Sequence, residues 1–525
     1  MSISISTSRP IVSRKSRKAL WGVIAVVVVV GLAATFGLRG RNDALAAKAK
    51  TIRWAIGLPT SWDPVTSQIG WDIFGLGLAY EGLTEIDKDG HPQPGLAERW
   101  KYNADGTEVT FTLRPNLKFS DGTPVDARAV VDYFVRSKTQ KDARSSELLK
   151  TIREVVAVDD HTVLFRLSQA DYQIPLLLAG RVGYVASPTA AAKDLKRLQV
   201  YPVGAGPFRV VESIPNDHTT FEKNPDYWRA SEIHIDRFEI YPKADPASVV
   251  SSVQTGVYNV AYALPAQAKA AEGAGLKVEY TNTGQVADIS INANRPPFED
   301  NPKVLEAFRR AFDRQDFVKV LNFGVGTVTN QPFPARYPQF DPSIANEWSY
   351  DPDKARALLA EAGYKEGQLT VDFMQIGDSS QFAELVQAQL KKVGVNVKIR
   401  VVPDSKGNQL KLYDKNFVLT EDSSTGRESP VQALMVFYGP QGIMNGSAPS
   451  SSPAFLDALS HLRTTPLDSP DYPDALHRAV RTGVLQNANL YLYEIPWTFI
   501  KGDGIGALAG GQGQIRWEGV TPGSQ

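Results

Sequence analysis

The chain has 525 residues, with 57 Lys+Arg balanced by 57 Asp+Glu, 42% hydrophobic and 22% charged residues, and no cysteine. Zero net charge removes the field that would draw in nucleic acid or polyanions, and the composition is that of an ordinary globular protein. The missing cysteines exclude a disulfide framework, a thiolate zinc site, a catalytic cysteine, an iron–sulfur cluster and a lipid on an N-terminal cysteine.

Roughly three domains fit this length. At the N-terminus, Arg14, Lys15, Arg17 and Lys18 precede an uncharged run of twenty residues, Ala19 to Leu38. An export signal uses an apolar core of about 7–15 residues and a spanning helix about 20, so the run serves either purpose. The basic flank keeps the N-terminus inside and puts everything after Leu38 outside the inner membrane. Ala44-Leu45-Ala46 has the A-x-A form of a cleavage site, which favours cleavage; without it, 19–38 is a membrane anchor.

Beyond this segment "TIRWAIG" (51–57) predicts a first strand, and "LPTSWDP" (58–64) the loop that ends it. A helix is predicted over Trp71–Tyr80. Asp105-Gly106 and Asp159-Asp160 then mark two hairpins between alternating apolar runs. In "LKFSDGTPVDARAVVDYF" (117–134) a strand end meets the turn pair Asp121-Gly122. Thr123-Pro124 or Asp126 caps the following helix, whose Val130, Val131 and Phe134 share a face. More short strands follow Val203, and Val249 opens another helix.

"DISINANRPPFED" (288–300) reads as a strand running into a Pro-rich loop, and 302–321 has helical apolar spacing throughout. "DPDKARALLAEAGY" (351–364) is a helix with Asp351 or Asp353 at its start and Gly363 at its end. A helix stopped by Gly394 then leads into an alternating strand. Strands and helices alternate over most of the chain, which is an α/β pattern.

Nucleotide-binding, zinc-protease and serine-hydrolase motifs are absent, as is the dinucleotide-binding glycine pattern. The six histidines include no pair three or four residues apart. No catalytic residue, cofactor or metal ligand is predicted, and the 57 carboxylates carry no specific signal for glycoside chemistry.

The segment Tyr80–Phe134 resembles the family 5 extracellular solute-binding proteins, the dipeptide, oligopeptide and nickel receptors of ATP-binding cassette importers. "GAGPFRVVESIPNDHTTFEKNPDYW" (204–228), "NRPPFEDNPKVLEAFRRAFDRQDFVKVL" (294–321) and the later helices resemble further family segments in the family's order. The resemblance implies a two-lobed periplasmic binding protein type II fold with an added N-terminal subdomain. The expected division is 1–46 signal or anchor, 50–85 lobe I, 86–203 added subdomain, 204–297 lobe I, 298–484 lobe II and 485–525 return to lobe I. Passage between lobes is expected near Asn294–Pro297.

The resemblance further implies a monomeric receptor outside the inner membrane that closes on a peptide and docks on a permease. A receptor for a nickel chelate, an opine or a sugar is the alternative, and an exported hydrolase a more distant one. Trp62 and Asp63 resemble the family's first cleft loop. Asp422 and Arg427, in "LTEDSSTGRESPVQALMVFYG", fall where the family anchors a ligand's amino group. There the usual tryptophan is missing and "GRESP" replaces the usual Asp-Pro pair, which departs from dipeptide specificity.

Overall fold

The computed structural model describes residues 50–67, 70–281, 284–377, 380–424, 429–446, 451–508 and 514–523. The apolar run at 19–38, the cleavage motif at 44–46 and Arg427 lie outside the described residues. The chain divides into two compact units, residues 1–51 with 525 and residues 52–524. The second unit carries the lobes.

A seven-stranded sheet organises the first lobe. Its strands run in the order Lys277–Thr281, Trp497–Lys501, Val260–Ala263, Thr51–Ala55, Arg237–Tyr241, His218–Lys223, Phe208–Ile214. A five-stranded sheet organises the second lobe, in the order Val395–Val402, Leu369–Ile376, Leu419–Ser424, Val286–Ile291, Leu490–Glu494. This is the expected α/β, two-lobed type II architecture.

The added subdomain is a four-stranded sheet within 97–167. Val109, Phe111 and Leu113 alternate with polar residues on one strand, and Val163, Phe165 and Leu167 alternate with the half-buried Thr162, Leu164 and Arg166 on its neighbour. The period of two therefore turns one apolar face towards the helix Ala127–Thr139, whose Val130, Tyr133 and Phe134 are buried. Asp126 caps that helix by accepting from Ala129 N at 2.8 Å. Asp351, not Asp353, caps the helix Pro352–Glu361 through Lys354 N at 2.9 Å.

Two boundaries differ from expectation. The periodic run 302–321 is two helices, Pro302–Arg310 and Arg314–Leu321. Asp313 breaks it, because its carboxylate accepts from Gln315 N and its own N–H goes to the Gln389 side chain. The strand Val286–Ile291 belongs to the second sheet, so the first passage between sheets falls between Thr281 and Val286 rather than at Asn294–Pro297. The return falls at Ile495–Pro496, between strands Leu490–Glu494 and Trp497–Lys501, rather than near 485.

Candidate ligand-binding cleft

The two passages lie side by side and are stitched together. Ile495 N donates to the Gln285 carbonyl at 2.8 Å, and Trp497 Nε1 donates to Gln285 Oε1 at 2.8 Å. Gln285 Nε2 continues to Ser423 Oγ at 3.0 Å. Buried Glu494, the last strand residue before the return, is paired with Arg336. Two short crossings joined by a few bonds form a hinge.

In both sheets the parallel strands run towards this hinge: Thr51–Ala55 beside Val260–Ala263, and Leu369–Ile376 beside Val395–Val402 and Leu419–Ser424. Ligands of open α/β sheets bind outside the carboxyl ends of such strands. At that edge of the first lobe, Trp71 packs 4.4 Å from Trp497 and edge-on to Tyr262 at 5.1 Å. Lys243 Nζ stands 3.9 Å over the Trp71 ring.

The lobes also meet away from the hinge. Tyr172 N, in the added subdomain, donates to the Arg463 carbonyl of the second lobe at 3.0 Å. Gln173 reaches Tyr472 OH and Ser429 Oγ, each at 3.5 Å. The loop is held from behind: Asp171 accepts from Gln173 N at 3.0 Å, and Tyr102 OH donates to the Asp171 carbonyl at 2.8 Å. Gly106 of the predicted Asp105-Gly106 turn leaves room for it, since a Cβ there would lie 2.8 Å from the Tyr172 ring. The turn therefore serves the contact between the lobes as well as the hairpin.

The four residues expected at the ligand have separate fates. Trp62 is only 4% exposed and packs on Phe221 at 5.3 Å between centroids. Asp63 is fully buried in a bidentate pair with Arg136, at 2.7 and 2.8 Å. Its backbone carbonyl accepts from Thr66 and Ser67. Both side chains thus face lobe I packing in this conformation, and Arg136 comes from the helix that the 117–134 unit starts.

Asp422 lies at the hinge-ward end of its strand, paired with Lys411 Nζ at 2.9 Å. The side chains are 8% and 14% exposed. Asp288 stands directly opposite Asp422 on the neighbouring strand. One Asp288 oxygen accepts from Asn489 Nδ2 at 3.1 Å, while Oδ1 is buried without a hydrogen-bond partner. Burial first, then the Asp422 charge, pushes the Asp288 carboxyl well above the usual carboxylate range. On the other face of the same strand, Glu421 is exposed to solvent.

Asp288 and Lys411 were not singled out by sequence. A signal was present for Asp288, which is a charged residue in the strand VADISI, where every position is buried. Lys411 had none, because its partner is set by the fold. Among the described residues, no group of three or more His, Asp and Glu side chains could hold a metal ion. Among the same residues, no helix is long and apolar enough to cross a membrane.

Residues 91–445 match the model of the bacterial extracellular solute-binding proteins, family 5. The chain belongs to this family. It is 32% identical over 330 residues to a glutathione-binding protein of Salmonella paratyphi A, covering 61% of this chain and 63% of that protein. The match thus spans less than two thirds of that relative's length. In fold it is similar to NikA of Brucella suis, solved with Fe(III)-EDTA, at a TM-score of 0.78 and 20% identity, covering 90% of this chain and 99% of that one. It is also similar to a dipeptide-binding protein of Pseudoalteromonas sp. SM9913, solved with Met-Leu, at a TM-score of 0.75 and 24% identity over the same shares.

Proposed function

We propose that the protein is the extracytoplasmic receptor of an ATP-binding cassette importer, taking a peptide or peptide-like solute into the cleft between its lobes. The observation that carries this reading is the pair of adjacent crossings at Gln285 and Ile495, with parallel strands of both sheets ending towards them. Family membership supplies the function such a hinge serves, and the glutathione-binding and dipeptide-binding relatives favour a peptide.

In this mechanism the ligand favours the closed form through contacts that only closure completes. The closed receptor docks as a monomer on a membrane permease, and a separate ATPase drives transport. No bond in the solute is broken, so no catalytic group is required. Export by the N-terminal segment places the receptor outside the inner membrane, either cleaved after Ala46 or anchored by 19–38. N-terminal sequencing of the exported protein separates the two: a start at Ala47 means cleavage.

The receptor reading is tested by native mass spectrometry of the protein after incubation with yeast extract, which contains peptides, glutathione, sugars and organic acids. A bound solute retained through buffer exchange is expected. A spectrum of empty protein at every extract concentration sinks the reading.

A further inference from the structure

We propose that Lys243 receives a carboxylate of the solute, on a platform formed by Trp71, Tyr262 and Trp497 at the rim of the first lobe's sheet. The proposal rests on the receptor reading and deepens it by naming a group that the first lobe selects.

The platform stands where the chain passes between the lobes. Thr281 is the last strand residue before the first passage, Trp497 is the first after the return, and the two pair in register. Ala263, at the carboxyl end of its strand, pairs with the next residue, Thr498. The strand Thr51–Ala55 runs parallel to that one and ends at the same rim. Arg237–Tyr241 ends there too, because Ile56 N and Gly57 N both donate to the Tyr241 carbonyl, at 3.3 and 2.9 Å. Lys243 follows two residues later. Its stem and the Trp71 ring lie over the bare backbone of Gly57, where a Cβ would be 3.5 Å from Lys243 Cγ and 3.4 Å from Trp71 Nε1. These residues therefore occupy the hinge-ward rim of the first sheet, and ligands of open α/β sheets bind at such carboxyl-end rims.

The rings are fixed before any solute arrives. Trp71 Nε1 donates to the Ile56 carbonyl at 3.2 Å and Trp497 Nε1 to Gln285 Oε1 at 2.8 Å, so both indoles are held in place. Trp71 and Tyr262 are half-buried and Lys243 is exposed, which leaves the platform an open side. The ammonium lies 3.9 Å from the Trp71 ring centre and 5.1 Å from that of Tyr262. A ring face attracts a cation without supplying an oxygen to accept from it. Among the described residues no carboxylate or carbonyl accepts from Lys243, so its three donors are left to solvent and to whatever enters the cleft. Desolvation lowers its pKa below the ordinary lysine value, with no anion to offset it. A lysine that served only solubility would keep its ammonium in water, whereas this one is drawn over two rings without a counter-charge. One ammonium matches one carboxylate, and the adjoining ring faces match an apolar group beside it.

The test offers one carboxylate beside one apolar group. The wild type and Lys243→Met are titrated with N-acetyl-leucine, and with the uncharged N-acetyl-leucinamide, at equal ionic strength up to the solubility of each, by calorimetry and tryptophan fluorescence. The wild type is expected to bind the acid at least about tenfold more tightly than the amide, the gain of one charge-assisted hydrogen bond. Lys243→Met keeps the stem over Gly57 and removes the ammonium, so it is expected to bind acid and amide alike and to melt at the wild-type temperature. Equal binding of acid and amide by the wild type overturns the proposal, whether both bind or neither does. A preference for the acid that survives in Lys243→Met also overturns it, because another group then reads the charge. Capture of a solute from yeast extract by the wild type is a separate readout. Failure there sinks the receptor reading, while a Lys243-dependent preference for the acid stands or falls by itself.

Discussion

Each lobe buries a cluster of charge, and the two are built on different terms. In the first lobe Glu81, Glu85 and Glu518 converge on Arg229 and Arg516. Arg516 lies 2.6 Å from Glu85, 3.2 Å from Glu518 and 3.3 Å from Glu81. Tyr227 OH adds contacts of 2.8 Å to Glu81 and 2.6 Å to Glu518. Planar guanidinium forks satisfy several carboxylates at once and lose little freedom in doing so. They also fasten the segment 514–523 to the lobe, where Trp517 packs at 5.1 Å on Trp54 and at 4.6 Å on Phe238. In the second lobe a lone ammonium serves Asp422 and leaves an Asp288 oxygen bare. The first cluster gives every carboxylate a guanidinium partner and holds the scaffold, with one buried nitrogen, Arg229 Nε, left without an acceptor. The second has one ammonium for two carboxyl groups on facing strands, and its unpartnered atom is an acceptor rather than a donor.

The comparison breaks most visibly at Arg516. Replacing it with leucine leaves Glu81, Glu85 and Glu518 with Arg229 as the remaining guanidinium, and removing one partner of a buried pair costs about 3–5 kcal/mol. Arg516→Leu is expected at the upper end, about 5 kcal/mol, by denaturant unfolding. A loss below about 1 kcal/mol shows that the network contributes no more than surface pairs do.

Asp63→Asn comes next and sharpens the division between scaffold and cleft. The amide still accepts one bond from Arg136 but leaves the guanidinium without its charge partner, so a loss of about 3 kcal/mol is expected. Affinity for the solute captured from yeast extract stays within about twofold if Asp63 only supports the lobe. A tenfold loss of affinity with unchanged stability returns Asp63 to the ligand.

The sequence showed the scaffold far better than the cleft, for a physical reason. The 109–134 region announces itself because alternation, the Asp-Gly turns and the Asp126 cap act between near neighbours. The family segments carried the two-lobed fold for the same reason, through local packing units in order. Lobe boundaries were read late on the way in and early on the way back, because nothing in Thr281–Val286 or Ile495–Pro496 differs locally from a loop within one lobe. Of the residues expected at the ligand, Trp62 and Asp63 have loop chemistry that suits a cleft, yet partners 159 and 73 positions away in Phe221 and Arg136 take them into packing. Asp422 was named from the sequence, while Lys411, the lysine it pairs with, was not. Pairings of that kind depend on which strands lie side by side, and no spacing rule reports them.

A smaller effect is expected where the lobes meet. Gln173→Ala removes the side-chain bonds to Tyr472 and Ser429 while leaving the Tyr172–Arg463 backbone bond. Parting the lobes at the hinge would break these contacts, so the variant is expected to lose about two- to tenfold in affinity with little change in melting temperature. Small-angle scattering of the unliganded variant is expected to give a larger radius of gyration than the wild type. Equal affinity and equal radius show that this contact does not bias closure.

The smallest effect lies in the pH dependence of the first cluster, and its sign follows from Glu85. Burial first, then the Glu81 charge, raises that carboxyl to about 8 against the pull of Arg516 and Arg229. With Glu85 protonated, two guanidiniums face two carboxylates and the cluster is neutral. A folded-state pKa above the ordinary 4.5 means that the native chain holds a proton the unfolded chain has released. The resulting stabilisation is complete below about 4.5 and is lost as pH rises towards 8. Glu518 runs the other way: against the burial that would raise it, Arg516, the Tyr227 hydrogen bond and Arg229 pull it down to about 2. Its contribution is present above about 4.5 and disappears only as pH falls towards 2, so it stays constant through the alkaline window. Glu85→Gln, neutral at every pH, keeps what the wild type gives up. The difference in melting temperature between variant and wild type should therefore widen in the variant's favour from pH 5 to pH 9. A constant difference across that range would show Glu85 ionised throughout, with three carboxylates sharing two guanidiniums, and the first cluster would then be as incompletely compensated as the second.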